Sequence, residues 1–202
     1  MYVVLEKSFD KLRTKEFLIF LKSKEILTEA DMDLREYQVK ARSTAIYPRQ
    51  GENLPYTFMG LVGEWGEFRE KSLDKEASKE LIVLELGDVL WYVANLACEA
   101  KIELIELDYV EASLLEEGIL DFAIISIGKI GEALKKTERD DNNVLTSKRK
   151  KVIENEIKNL LFYIDILARD FNLTLLDVAE RNIQKLLSRE KRDVLRGDGD
   201  ER

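Results

Sequence analysis

Apolar residues recur at intervals of three and four through most of this chain, which is the spacing of amphipathic α-helices. The two prolines, Pro48 and Pro55, and several polar runs fall between these stretches. The pattern therefore predicts an all-α helical bundle. The predicted helices cover residues 9–27, 31–46, 57–73, 78–101, 104–116, 119–136, 148–171 and 174–191, and a polar loop is predicted for residues 137–143.

Two pairs of acids interrupt the apolar pattern of neighbouring helices. Glu85 and Asp88 lie in a stretch, residues 81–93, that is apolar on almost every face and is therefore predicted to be buried. Glu64 and Glu67 have the same spacing in the preceding helix, and residues three apart share a helix face. A hairpin of these helices would bring four carboxylates together, although acid pairs of this spacing also occur on solvated faces.

Such a cluster is costly unless a cation neutralises it. Like charges about 5 Å apart repel by roughly 3 kcal/mol per pair at an effective dielectric constant near 20. Oxygen ligands favour Mg²⁺, with Mn²⁺ as a substitute. Gly63, Gly66 and Gly87 stand beside the acids, and because glycine is unfavourable inside a helix they predict close approach of a backbone or a ligand.

Composition narrows the function further. The chain has 202 residues, a net charge of −8 and no histidine, which excludes catalytic triads that use histidine, histidine zinc sites and the Glu-x-x-His di-iron motif. The acidic balance predicts no nucleic-acid or membrane partner. A single cysteine, Cys98, and no signal-peptide pattern at the start predict a soluble cytoplasmic protein.

The chain also shows an internal repeat. Residues 63–71 align with residues 128–136, and residues 85–97 align with residues 156–168, which predicts a tandem duplication of a helical hairpin; chance similarity of amphipathic helices is the alternative. The four acid positions carry a charge of −4 in the first copy and −1 in the second. The residues at these positions in the second copy are Lys129, Glu132, Glu156 and Asn159.

The last predicted helix carries basic and amide side chains where the first hairpin carries acids. Asn182, Lys185 and Arg189 share one of its faces, so we expect a composite site in which they face the acids of the first hairpin and bind phosphate oxygens. Lys71 and Tyr92 continue the two acidic faces. Lys71 is interpreted either as a phosphate contact or as a solvated residue, and Tyr92 either as a base-stacking residue or as part of the core.

Several ordered motifs resemble the MazG-like all-α nucleoside triphosphate pyrophosphohydrolases, which are related to the dimeric dUTPases. The signature is Glu-x-x-Glu, a spacer and Glu-x-x-Asp, and 17 residues lie between Glu67 and Glu85. An extra segment of roughly 70 residues coincides with the second hairpin. The similar motifs are Tyr37–Gln38 with residues 44–48, then residues 60–67, 85–92, 182–189 and 197–202.

The resemblance implies Mg²⁺-dependent hydrolysis of a nucleoside triphosphate, (d)NTP, to the monophosphate and pyrophosphate. It implies that Glu64, Glu67, Glu85 and Asp88 are metal ligands, and we expect Glu64 or Glu67 to be the catalytic base. The expected substrate-binding residues are Lys71, Tyr92, Asn182, Lys185, Arg189, Arg196 and Arg202.

The predicted organisation is an N-terminal helical extension, residues 1–30, followed by one all-α domain, residues 31–202. The domain contains an active hairpin at 57–101, a degenerate hairpin at 119–171 and a C-terminal helix and tail at 174–202. It would resemble a fused pseudo-dimer of the MazG-like core, and a homodimer of such pseudo-dimers is possible. Two alternatives stay open: an inactive nucleotide- or metal-binding regulatory or scaffold module, and a purely structural bundle.

Overall fold

The computed structural model describes residues 32–105 and 118–192, and these residues form six helices and no strands. The all-α bundle predicted from the sequence is confirmed. In chain order the helices are α1 (Leu34–Ser43), α2 (Leu54–Leu73), α3 (Lys79–Glu99), α4 (Ile119–Asp140), α5 (Ser147–Arg169) and α6 (Leu175–Lys191).

Helix α3 lies at the centre of the bundle. It forms a hairpin with α2 and also packs against α1, α5 and α6, while α4 and α5 form a second hairpin. Its apolar residues, such as Leu86, Leu90 and Leu96, are fully buried because helices cover it on several sides. Helix α6 packs on α1, α3 and α5, which brings the C-terminal helix against the first hairpin.

Polar residues fix where the helices begin. Ser78 caps α3 by accepting a hydrogen bond from the Leu81 amide at 3.2 Å. Helix α6 begins with a capping box, in which Thr174 and Asp177 each accept a hydrogen bond from the other's backbone N–H. The buried Asp165 carboxylate also accepts from the Leu175 amide at 3.0 Å, which fastens the start of α6 to α5.

Helix α3 is the one helix of residues 32–105 and 118–192 that is long and apolar enough to span a membrane. However, 67% of the apolar window is buried by the rest of the bundle. This is the pattern of a core helix in a soluble protein, and it agrees with the four helices that pack around α3.

The predicted polar loop at residues 137–143 is partly wrong, because α4 continues to Asp140. Thr137 is buried, and its hydroxyl donates to the Ala133 carbonyl at 3.0 Å, so a polar side chain is accommodated inside the helix. At the end of the helix, Arg149 of α5 pairs with both Asp140 and Asp141. These ion pairs stabilise a turn that composition alone assigns to a loop.

Other predicted boundaries differ by a few residues or cannot be compared. Helix α1 is shorter than the predicted 31–46, and α2 begins at Leu54 because Pro55 is accepted in its first turn. Residues 101–105 are not helical. The predicted helix at 9–27 and the rest of the predicted helix at 104–116 lie outside the described residues.

A buried carboxylate holds the connection between α1 and α2. Glu99, at the end of α3, is 4% exposed and accepts hydrogen bonds from the backbone N–H groups of Gly51 and Asn53 at 2.8 and 2.7 Å. Arg42 and the Tyr47 hydroxyl donate to the same side chain, each at 2.8 Å. Although burial raises the pKa of Glu99, these four donors outweigh it and hold that pKa below its ordinary value.

Two glycines of α2 provide a test of the packing. A Cβ atom at Gly60 would overlap the ring of Tyr92, whereas a Cβ at Gly63, one turn later, would meet nothing within 4 Å. We expect Gly60→Ala to lower the free energy of unfolding by about 1–3 kcal/mol because the ring must move. Gly63→Ala, the matched control, should raise it by about 0.5–1 kcal/mol because alanine favours the helix. Urea unfolding measures both, and equal effects would contradict this packing.

Candidate metal centre

Three carboxylates converge where α2 faces α3. Glu64 and Glu67 project from one face of α2, and Glu85 projects from α3, so that one oxygen of each lies within 4.8 Å of the others. Glu85 is 2% exposed, Glu64 is partly exposed and Glu67 is exposed. The cluster is therefore buried at one end and open to solvent at the other.

This donor set fits a hard divalent cation. All three groups offer oxygen, and carboxylates held this close repel one another by on the order of 3 kcal/mol per pair before solvent screening. Mg²⁺ is usually held by few carboxylates and keeps several waters, which matches a cluster with one open side. The residues that would hold the ion are Glu64, Glu67 and Glu85.

Asp88 contacts two residues of α6. Its Oδ1 accepts a hydrogen bond from Asn182 Nδ2 at 3.0 Å, and its Oδ2 forms an ion pair with Lys185 Nζ. Both partners belong to α6, so the predicted contact between the acids of the first hairpin and the last helix is present. The structure thus joins three of the four acids in one cluster and holds the fourth against an amide and a cation.

The amide of Asn182 is fixed from behind by a residue that the sequence did not mark for this role. Tyr37 of α1 is fully buried, and its hydroxyl donates to Asn182 Oδ1 at 3.1 Å, which directs Nδ2 toward Asp88. Burial and the negative charge of Asp88 raise the pKa of the Tyr37 phenol, so it remains a donor. A Cβ at Gly87 would lie 3.1 Å from the Asn182 Cβ, so Gly87 permits the close approach of α6.

Another helix closely approaches Gly87, but no part of the described chain closely approaches Gly63 or Gly66. A Cβ at Gly63 or Gly66 would meet no atom within 4 Å, and both residues are exposed. The surface beside Glu64 and Glu67 is therefore open among the described residues, and of the three glycines next to the acids, Gly87 is the one that a neighbouring helix crowds.

Tyr92 lies beside the cluster and is partly buried. Its ring packs against Gly60 and makes an edge contact with Trp91, with 4.8 Å between ring centroids. Burial, followed by the nearby Tyr56 and Glu64, raises the pKa of the Tyr92 phenol, which keeps it neutral. This placement beside Glu64 is compatible with both predicted roles, as a stacking residue and as a packing residue.

The remaining predicted substrate residues are only partly located. Lys71 lies in the last turn of α2, one turn beyond Glu67, and Arg189 is a buried residue of α6, one turn beyond Lys185. Their roles as phosphate contacts stay predictions. Arg196 and Arg202 lie outside the described residues.

The second hairpin shows how a carboxylate at the equivalent position is neutralised without a metal. Glu156, which aligns with Glu85, is buried and pairs with Lys129 Nζ at 3.1 Å. Its other oxygen accepts from Ser126 Oγ and Asn159 Nδ2, at 2.8 and 3.0 Å. Burial raises the pKa of Glu156, but these three donors together leave it below its ordinary value.

Lys129 and Asn159 align with Glu64 and Asp88 of the first hairpin. A lysine of the chain thus supplies the positive charge to Glu156 that a bound cation would supply to Glu85. The two hairpins have the order that the duplication predicts, and the duplication itself stays a prediction.

Comparison with known proteins adds one similarity. Over 75 residues the chain is 45% identical to the Gene 37 protein of Mycobacterium phage L5, and the matching region covers 30% of this chain and 66% of the phage protein. The chain thus spans slightly less than two thirds of that relative, whose name states no activity. No protein-family model matches the chain. No solved structure matches it either.

Proposed function

We propose that this protein is a metal-dependent nucleoside triphosphate pyrophosphohydrolase, which cleaves a (d)NTP into the monophosphate and pyrophosphate. One observation carries the proposal: Glu64, Glu67 and Glu85 place oxygens within 4.8 Å of one another, and Glu85 is almost fully buried. Such an arrangement suits Mg²⁺, or Mn²⁺ in its place, shared with substrate phosphates. The motifs that resemble the MazG-like enzymes support the same reaction.

Residues of this chain would carry out distinct parts of the reaction. Glu64 or Glu67, at the open side of the cluster, accepts the proton of the attacking water. The water oxygen bonds to phosphorus while the anhydride bond between the monophosphate and pyrophosphate breaks. Lys185, on α6, would hold phosphate oxygens, and the buried Asn182 would hold Asp88 in position. A divalent cation held by Glu64, Glu67 and Glu85 would lower the pKa of the water and neutralise the leaving group.

Pyrophosphate release from a panel of ribo- and deoxyribonucleoside triphosphates tests this function. We expect turnover with Mg²⁺ or Mn²⁺, none in EDTA, and a fall of at least about 100-fold in Glu67→Gln and Glu85→Gln. Glu70→Gln, at an exposed position of the same helix α2, is the matched control and should keep full activity. Turnover that resists EDTA, or full activity in Glu85→Gln, would contradict the proposal.

The ion pair between Asp88 and Lys185 favours a second candidate, a nucleotide-binding module without turnover, because one predicted ligand is already neutralised. Metal-dependent stabilisation by nucleotide without pyrophosphate release would support that candidate. We further propose a cytoplasmic location, which fits the phage relative and the buried core helix. The homodimer suggested by the family resemblance stays a prediction that size-exclusion chromatography with light scattering would test.

A further inference from the structure

The contacts of Asp88 bear on how metal and nucleotide binding are linked. Asp88 lies one helical turn from Glu85, a spacing that places residues on the same helix face. Nevertheless, both of its oxygens contact α6: Oδ1 accepts from Asn182 and Oδ2 pairs with Lys185. The side chains of Asp88 and Lys185 are 17% and 9% exposed, so this ion pair is weakly screened by solvent.

The two partners of Asp88 differ in mobility. Asn182 is fully buried, its amide is oriented by Tyr37, and Gly87 fits closely against its Cβ, so it cannot turn away without breaking several contacts. Lys185 instead pairs with Asp88 through an ammonium group on a flexible four-carbon side chain. This ammonium group can move to another hydrogen-bond acceptor nearby. Of the two partners of Asp88, Lys185 is therefore the one that can leave Asp88 for another acceptor.

The positive charge of Lys185 also opposes a divalent cation at Asp88. A cation bound by Asp88 together with Glu85 would lie close to the lysine ammonium, and like charges at that distance repel. A triphosphate beside the cluster offers Lys185 oxygens that carry more negative charge than one carboxylate, and a lysine is a common partner of phosphates. Movement of Lys185 to the phosphates would leave Asp88 able to contact the metal.

We propose that Lys185 couples the two binding events: it neutralises Asp88 in the nucleotide-free protein and transfers to the triphosphate when nucleotide binds, which releases Asp88 as an additional metal ligand. This inference rests on the proposed function. Because coupling of two binding sites is reciprocal, metal must tighten triphosphate binding by the same factor as triphosphate tightens metal binding. A monophosphate, which lacks the outer phosphates, produces less of this effect.

Mn²⁺ binding to the full chain, followed by electron paramagnetic resonance, tests the coupling without turnover. The probe is Mn²⁺ alone or with a non-hydrolysable triphosphate analogue. In the wild type, the analogue should raise Mn²⁺ affinity at least about tenfold. In Lys185→Met, nucleotide-free Mn²⁺ affinity should rise at least about threefold, and the analogue should add a smaller factor than it adds in the wild type. Lys191→Met, at an exposed position of the same helix, should behave as the wild type.

Asp88→Asn tests the coupling independently, because it removes the carboxylate that is proposed to become a metal ligand. In that variant the analogue should raise Mn²⁺ affinity by a smaller factor than in the wild type, and adding Lys185→Met should have no further effect on Mn²⁺ binding. Wild-type Mn²⁺ binding together with unchanged nucleotide-free affinity in Lys185→Met would overturn the coupling and leave the proposed function standing. Absence of any Mn²⁺ binding to the wild type, with or without the analogue, would overturn both.

Discussion

Replacing Glu64 with lysine is expected to lower Mn²⁺ affinity by at least about 100-fold and to stabilise the metal-free protein. The substitution removes a carboxylate that lies within 4.8 Å of two others and introduces the charge that Lys129 provides to Glu156 in the second hairpin. Relief of repulsion should contribute about 1–3 kcal/mol after solvent screening. For a chain of this size, this raises the melting temperature by roughly 2–10 °C.

Calorimetric titration with Mn²⁺ and thermal unfolding in EDTA measure the two effects of Glu64→Lys. Glu70→Lys is the matched control, because it makes the same change of charge at an exposed position of α2. It should leave Mn²⁺ affinity within about threefold of the wild type, since surface charges are largely screened. If Glu64→Lys also bound Mn²⁺ within threefold of the wild type, Glu64 would not be a ligand.

The second large effect is expected at Glu99. Glu99→Ala should lower the free energy of unfolding by about 3–5 kcal/mol, because it leaves Arg42 and the amides of Gly51 and Asn53 without their shared buried acceptor. The connection between α1 and α2 should loosen as a result. Urea unfolding at neutral pH measures the change.

The same carboxylate predicts a dependence on pH. Its folded-state pKa lies below its ordinary value, so its contribution to stability is present above the unfolded pKa of about 4.3 and is lost as the pH falls through the folded pKa. Glu99→Gln should therefore flatten the acid side of the stability curve. Glu103→Gln is the control, because Glu103 pairs with Arg35 at the surface, where both side chains are more than half exposed. Equal acid sensitivity of the wild type and Glu99→Gln would contradict this account.

Periodicity predicted the helices well because most of them are long and bury one apolar face. The differences arise where tertiary contacts override composition. Helix α4 passes through Thr137 because that hydroxyl bonds to the Ala133 carbonyl and because Arg149, from another helix, pairs with the acids at the helix end. The sequence around residues 137–143 does not show that Arg149 will lie beside this turn.

The candidate site was predictable to a similar extent. Spacing alone placed Glu64 with Glu67 on one face, and the buried context of Glu85 indicated that it would meet them. The sequence predicted that Lys185 would face the acids of the first hairpin, but it did not show which acid Lys185 pairs with, since this depends on the position of α6. It also gave no reason to select Glu99, whose partners come from a loop without periodicity.

We infer that Glu64, Glu67 and Glu85 together hold a divalent cation. Electron paramagnetic resonance of Mn²⁺ titrated into the full chain, with Glu85→Gln as the comparison, tests it most directly. We expect the wild type to remove the signal of free Mn²⁺ in a saturable manner, and we expect Glu85→Gln, folded and of similar melting temperature, not to do so. A free Mn²⁺ signal unchanged by the wild-type protein, or equal binding by the two proteins, would contradict it.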